Sequence, residues 1–143
     1  FIQSFNLNLV SAAEIIKSLA DKLKQNKGSI VLFSTVAVKQ GFPNHAIVSS
    51  AKGAVEGLTL ALAAEFAPNI RVNCIAPSLT KSKISEFILK NEKMADSIAK
   101  MHPLKRVGEG SDSSSVAKFL LSEESSWITG QIFGVDGGRS TVA

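Results

Sequence analysis

Between Ser34 and Lys52 the chain gathers two hydroxyls, an imidazole and an ammonium: Ser34, Thr35, His45 and Lys52. A hydroxyl can orient a carbonyl oxygen. An imidazole can give and take a proton near neutral pH. An ammonium shifts the ionisation of any acid beside it. The stretch STVAVKQGFPNHAIVSSAKGAVEGLTLALAAE runs from Ser34 to Glu65. It begins where a short apolar run ends, crosses a loop, and enters a segment of mostly small residues from Ser49 to Gly57. A hand-over from strand to helix is the edge of an open parallel sheet at which ligands bind. An ammonium among Ala, Ser and Gly is poorly explained as packing, the alternative being a solvated surface lysine. For His45 the alternative is a loop residue capping the following helix.

The elements that must position these groups follow from periodicity. Leu9, Val10, Ala13, Ile16, Leu19, Ala20 and Leu23 recur at helical spacing and predict a helix over 7–26, stopped by Gly28. Ile30 to Phe33 is a continuous apolar run suited to a strand buried on both faces, predicted over 29–34. A helix is predicted over 46–67, ended by Pro68, and a second strand over 69–75. Lys83 to Met101 predicts a helix pair or bent helix with Ile84, Phe87, Ile88, Met94 and Ile98 on its apolar side. The Ser111–Ser115 cluster predicts the capped start of another helix. Gln131 to Val135 predicts a third strand, ended by Asp136-Gly-Gly. This alternation predicts right-handed crossovers and an α/β fold of about three parallel strands with helices on both faces. One sheet edge is expected to need a cover.

Composition narrows the function classes. The chain has 143 residues, 45% hydrophobic and 20% charged, enough for one domain with a core. The net charge of +4 is scattered, and no Arg-rich or aromatic-interleaved basic run argues for nucleic-acid binding. No run of 18 apolar residues occurs, so no membrane association is expected. The single Cys74 reads as a buried, inert strand residue, and a cytoplasmic location is expected. The lone His and Cys residues make no metal site.

Several segments together resemble the short-chain dehydrogenase/reductase family. FNLNLV resembles its NLxxV helix start, with Asn6 at the asparagine. IRVNCIAPS resembles its VNxxxPG element, with Ser78 where Gly is usual. PLKRVGEG, with Leu104, Arg106 and Gly108, and WITGQIFGVDGG resemble its C-terminal segments. The resemblance covers nearly the whole chain in the family's order. The family spaces its catalytic pair Tyr-x3-Lys, which would place Tyr at Val48, and the chain has no Tyr. Its enoyl-reductase branch uses Tyr-x6-Lys, and the position seven before Lys52 is His45. The family's Gly-rich TGxxxGxG turn, which cradles a pyrophosphate at a helix N-terminus, does not occur. The chain therefore resembles the C-terminal half of a Rossmann-like doubly wound sheet, a single partial domain over 1–143.

The resemblance implies NAD or NADP as cofactor and a small-molecule substrate. Hydride would pass to or from a carbonyl, alcohol or enoyl group. It implies Thr35 as the hydroxyl that orients the substrate oxygen, with Ser34 the competing candidate, and His45 as the acid–base group. Lys52 would hold the nicotinamide ribose, and Asn6 a water of the proton relay, a helix cap being its alternative role. Pro77, Ser78, Thr80 and Ser82 would contact the nicotinamide, although Ser82 could equally cap a helix. His102 reads as a helix-end residue. The helices at 7–26 and 46–67 resemble those through which family members form homo-oligomers. The other function class is a non-catalytic remnant or an interaction module, favoured by the missing Tyr and phosphate turn.

Overall fold

The computed structural model describes residues 1–142. Strands β1 (Ser29–Phe33), β2 (Arg71–Pro77) and β3 (Ile132–Val135) form a parallel sheet in the order β1-β2-β3. Ser29 lies opposite Arg71, and Cys74 opposite Ile132. The expected strands are thus present, parallel, and displaced by two residues or fewer at their ends.

Helical structure begins earlier than the apolar spacing suggests. Helix α1 (Ile2–Phe5) runs through a π-turn (Asn6–Val10) into α2 (Ser11–Gln25). Asn6 therefore sits inside a continuous helical stretch rather than starting one. Ile16 is the buried residue of α2, and it joins Ile30, Ala63, Phe66, Ile70 and Val72 in the main core cluster. Short α3 (Ala37–Gln40) precedes α4 (Ala46–Phe66). α4 buries Ala51, Val55, Thr59, Ala63 and Phe66, a stripe at four- and three-residue steps. By length and composition alone α4 could cross a membrane, but this stripe packs on the sheet.

Alternation along β2 assigns its faces. Val72 packs with Ala63 and Phe66 of α4. Arg71 points the other way, donating to the carbonyls of Leu120 and Ser122 and to Ser125 Oγ. Leu120 is the fully buried residue of α7 (Gly110–Leu121), so helices cover both faces. Between them lie α5 (Glu86–Leu89) and α6 (Glu92–Lys100).

Three expectations shift. β1 is an edge strand, because its far side has no partner among the described residues, and Phe33 is 44% exposed instead of buried. The helix at Gly110 is capped by Glu109 and Asp112 in a reciprocal capping box, with the serines of 111–115 inside the helix. The apolar side expected for the 83–101 segment is largely open, with Ile84 and Phe87 exposed, because no element among the described residues covers it.

Candidate active site

The strands end where the sequence placed its chemistry. β1 leaves the core at Phe33, and the backbone N–H groups of Ser34 and Val36 continue the ladder by donating to the carbonyls of Ile75 and Pro77. The chain after β1 and the chain after β2 are thereby held side by side at the C-terminal edge of the sheet. A cavity of about 670 Å³ opens there, and it is lined by Ser34, Thr35, His45, Pro77, Ser78, Thr80 and Ser82 among others. Six of the eight residues expected to act on substrate or cofactor share this one wall.

The two hydroxyls at the end of β1 differ in availability. Ser34 is buried, and its Oγ donates to Glu56 Oε1. Thr35 Oγ1 accepts the Ala37 N–H at 3.3 Å and keeps its own proton uncommitted within the described residues. A group that must donate to a substrate oxygen needs that free proton, which favours Thr35 on geometry.

His45 occupies the N-cap position of α4, yet its ring makes no capping hydrogen bond. Nδ1 instead lies 2.8 Å from the Pro43 carbonyl, and the ring packs edge-on against Phe42 at 5.5 Å. A carbonyl can only accept, so Nδ1 carries a proton in this arrangement. In the neutral ring Nε2 is then the basic nitrogen, and in the charged ring Nε2–H is the donor that remains.

Lys52 and Asn6 lie outside the cavity lining. Lys52 projects from α4 toward the end of β1, and its Nζ donates to the Phe33 carbonyl at 2.9 Å. One of three ammonium protons is used there, leaving two. Burial pushes this ammonium below its ordinary pKa, with the neighbouring Cys74 opposing. Cys74 itself is fully buried, and burial pushes its thiol up to about 11, so it remains an inert neutral thiol. Asn6 is exposed on the π-turn. Val48, one turn before Lys52, is 37% exposed.

The loop after β2 is pinned at several points. Ser85 Oγ donates to the Thr80 carbonyl and accepts the Ser82 N–H, so Ser82 and Ser85 brace one another. Thr80 forms a parallel bridge with Gly108, and a Cβ at Gly108 would stand 2.8 Å from Thr80 Oγ1, so a larger residue there would force the Thr80 side chain to shift.

His102 has more structure behind it than a helix end. It is 2% exposed, with Nδ1 at 2.8 Å from the Ile98 carbonyl and Nε2 at 2.8 Å from Ser78 Oγ. The Leu104 N–H then donates to the Gly137 carbonyl, which ties this turn to the end of β3. There Asp136 accepts from Gly138 N, Ser140 N and Ser140 Oγ. Burial would raise its carboxyl, but the Ser140 and Gly138 hydrogen bonds outweigh it and hold the group below its ordinary pKa. Sequence reasoning missed His102 as a partner of Ser78. The available signal was Ser78 itself, a hydroxyl where the resemblance expects Gly. It also missed Arg139, which lines the cavity rim.

Comparison with known proteins identifies the family to which this fold belongs. The family model described as Enoyl-(Acyl carrier protein) reductase matches residues 1–140. A tropinone reductase homolog from Arabidopsis thaliana is 37% identical over 98% of this chain and 44% of its own length. Human dehydrogenase/reductase SDR family member 4 is 34% identical over 95% of the chain and 50% of its own length. The solved structure of ElxO with NADP bound superimposes with a TM-score of 0.86 at 30% identity, covering 94% of this chain and 57% of that one. The chain spans about half the length of the curated relatives it matches. Strand order, the edge cavity and the family match converge on one assignment: this chain belongs to the short-chain dehydrogenase/reductase family of oxidoreductases.

Proposed function

We propose that the chain supplies the substrate-facing half of an NAD(P)-dependent oxidoreductase that interconverts a carbonyl or enoyl group and its reduced form. The observation that carries this reading is the cavity at the ends of β1 and β2, where Thr35, His45, Ser78, Thr80 and Ser82 share one wall. The donor set fits a nicotinamide cofactor. Lys52 has two unspent N–H donors beside the site for the diol of a ribose. The braced loop of Pro77, Ser78, Thr80 and Ser82 offers backbone and hydroxyl groups to a carboxamide.

When bound, the cofactor supplies or takes the hydride. The chain's residues handle the oxygen and the proton. Thr35 donates a hydrogen bond from its hydroxyl to the substrate oxygen and fixes its position. His45, held through Nδ1 by Pro43, gives the proton from Nε2 in the reductive direction and takes it back in the oxidative one. Asn6 holds a water through which the proton is replenished from solvent. The partial burial of Lys52 reduces solvent screening of its charge close to the Phe33–Ser34 corner.

The proposal extends to assembly. The domain over 1–143 is one partial Rossmann-like unit, completed by a dinucleotide-binding half, and the substrate is a small molecule. Helices 7–26 and 46–67 keep Leu7, Val10, Ile15, Leu19, Ile47 and Leu60 exposed, which supports packing of these helices against a second copy. The function is tested by incubating the full-length protein with reduced nicotinamide and a panel of aliphatic ketones, aldehydes and enoyl esters. Substrate-dependent loss of the reduced cofactor is expected. No consumption with any member, under conditions where the protein is folded, would refute the reading.

A further inference from the structure

The apolar part of the cavity wall comes from Val36, Leu79, Ile84, Ile88, Ile98 and Met101. Its polar part is hydroxyls, His45 and a single full charge, Arg139, with no carboxylate in the lining. The Arg139 guanidinium lies 4.5 Å over the Phe42 ring, the same ring that His45 meets edge-on. Its Nη2 lies 3.6 Å from Met101 Sδ. Aromatic and thioether contacts fix the plane of the guanidinium without neutralising it. Among the described residues Arg139 has no ion-pair partner, since the salt bridges there are Lys81–Glu109, Lys90–Glu86 and Arg106–Asp112. Asp136, three positions earlier, has its carboxylate held by Gly138 and Ser140.

Arg139 also stands on the wall of a second cavity of about 580 Å³, which it shares with Lys100 and Lys105 and again with no carboxylate. One rim of the substrate cavity is thus an apolar shaft opening onto three cations. A planar guanidinium with unspent donors suits a bidentate anion such as a carboxylate or a phosphate ester.

We propose that this site selects an amphipathic anion. The anionic group pairs with Arg139 at the rim, the aliphatic body fills the cavity, and the reacting carbon lies beside Thr35 and His45. This rests on the oxidoreductase reading for the reacting end only, since the anion selectivity is built from Arg139, Phe42 and the apolar wall.

Calorimetric titration of the full-length protein with octanoate, octyl phosphate and octanol tests it. Octanol carries the same chain without the charge. At least one of the two anions should bind about tenfold tighter than octanol, about 1.4 kcal/mol, and the tighter of the two identifies the headgroup. Arg139→Gln should erase that preference while leaving octanol binding and the unfolding midpoint unchanged, and Arg139→Lys should retain part of it. Equal binding of anion and alcohol by the wild type, no binding of any of the three, or a preference that survives Arg139→Gln would overturn the proposal. Hydride transfer failing while anion preference persists would refute the oxidoreductase reading alone. The reverse outcome would refute the anion site alone.

Discussion

His45→Ala is expected to lower turnover of the full-length protein by about 100- to 10,000-fold, the range lost when a positioned general acid–base is removed. The expectation rests on the ring's geometry. Nδ1 is committed to the Pro43 carbonyl, so Nε2 is the nitrogen left for proton transfer. Substrate affinity should change far less than turnover, because the apolar wall and Arg139 are untouched. His45→Gln keeps hydrogen-bonding capacity but cannot shuttle a proton in this pH range, so it should be nearly as defective. The competing arrangement is the family's commoner one, with the acid at position 48, where this chain has Val48. Val48→Tyr in the His45→Ala background should restore activity if a phenol one turn before Lys52 can reach the same oxygen. An unchanged rate in His45→Ala would remove the imidazole from the mechanism.

The largest stability effect is expected at Asn73. It is fully buried in the central strand β2. Its Oδ1 accepts the Gln131 N–H and its Nδ2 donates to the Ile128 carbonyl, both at 3.0 Å. Asn73 therefore clamps both ends of the turn that feeds β3. Asn73→Ala leaves the Gln131 N–H and the Ile128 carbonyl, both in part-buried hydrogen bonds, without their side-chain partner, at up to about 1–3 kcal/mol each where water cannot replace it. A loss of about 2–5 kcal/mol in urea unfolding is expected. Asn73→Asp keeps the acceptor but loses the donor and buries a charge, so it should be no better. The effect should reach the site, because β3 carries Asp136 and Arg139 at its end. A loss below about 1 kcal/mol would mean that water or a shifted turn satisfies both groups.

The positions at which sequence and structure diverge have identifiable causes. The run IRVNCI reads as a buried strand because its apolar residues face covered surfaces on both sides, and β2 is central. SIVLF reads the same way, yet β1 lies at an edge. Hydrophobic runs report the burial a strand is suited to, and at Phe33 no element among the described residues supplies it, leaving the ring 44% exposed. Ile84 and Phe87 are likewise exposed. The capping serines were misplaced because Glu109 serves as N-cap, a residue type the usual preferences rank low, supported by Asp112. Thr35, His45 and Lys52 were legible as a group because a strand-to-helix connection is short and local. The His102–Ser78 pair was not, since it joins residues 24 positions apart that share no periodic element. Arg139 follows a strand-ending Gly-Gly and looks like tail. Only the fold brings it against Phe42, from the far side of the sheet's edge.

In the proposed function, the edge cavity and Lys52 together receive a nicotinamide cofactor. Calorimetric titration of NADPH and NADH into the full-length protein and into its Lys52→Met variant tests this most directly. Methionine keeps the apolar stem of Lys52 and removes its charge, so the fold should persist, as an unchanged unfolding midpoint would show. Saturable binding of one cofactor by the wild type is expected, weakened by about tenfold or more in Lys52→Met through loss of the charge-assisted donors. No binding by the wild type, or binding of equal strength in both proteins, would contradict the account.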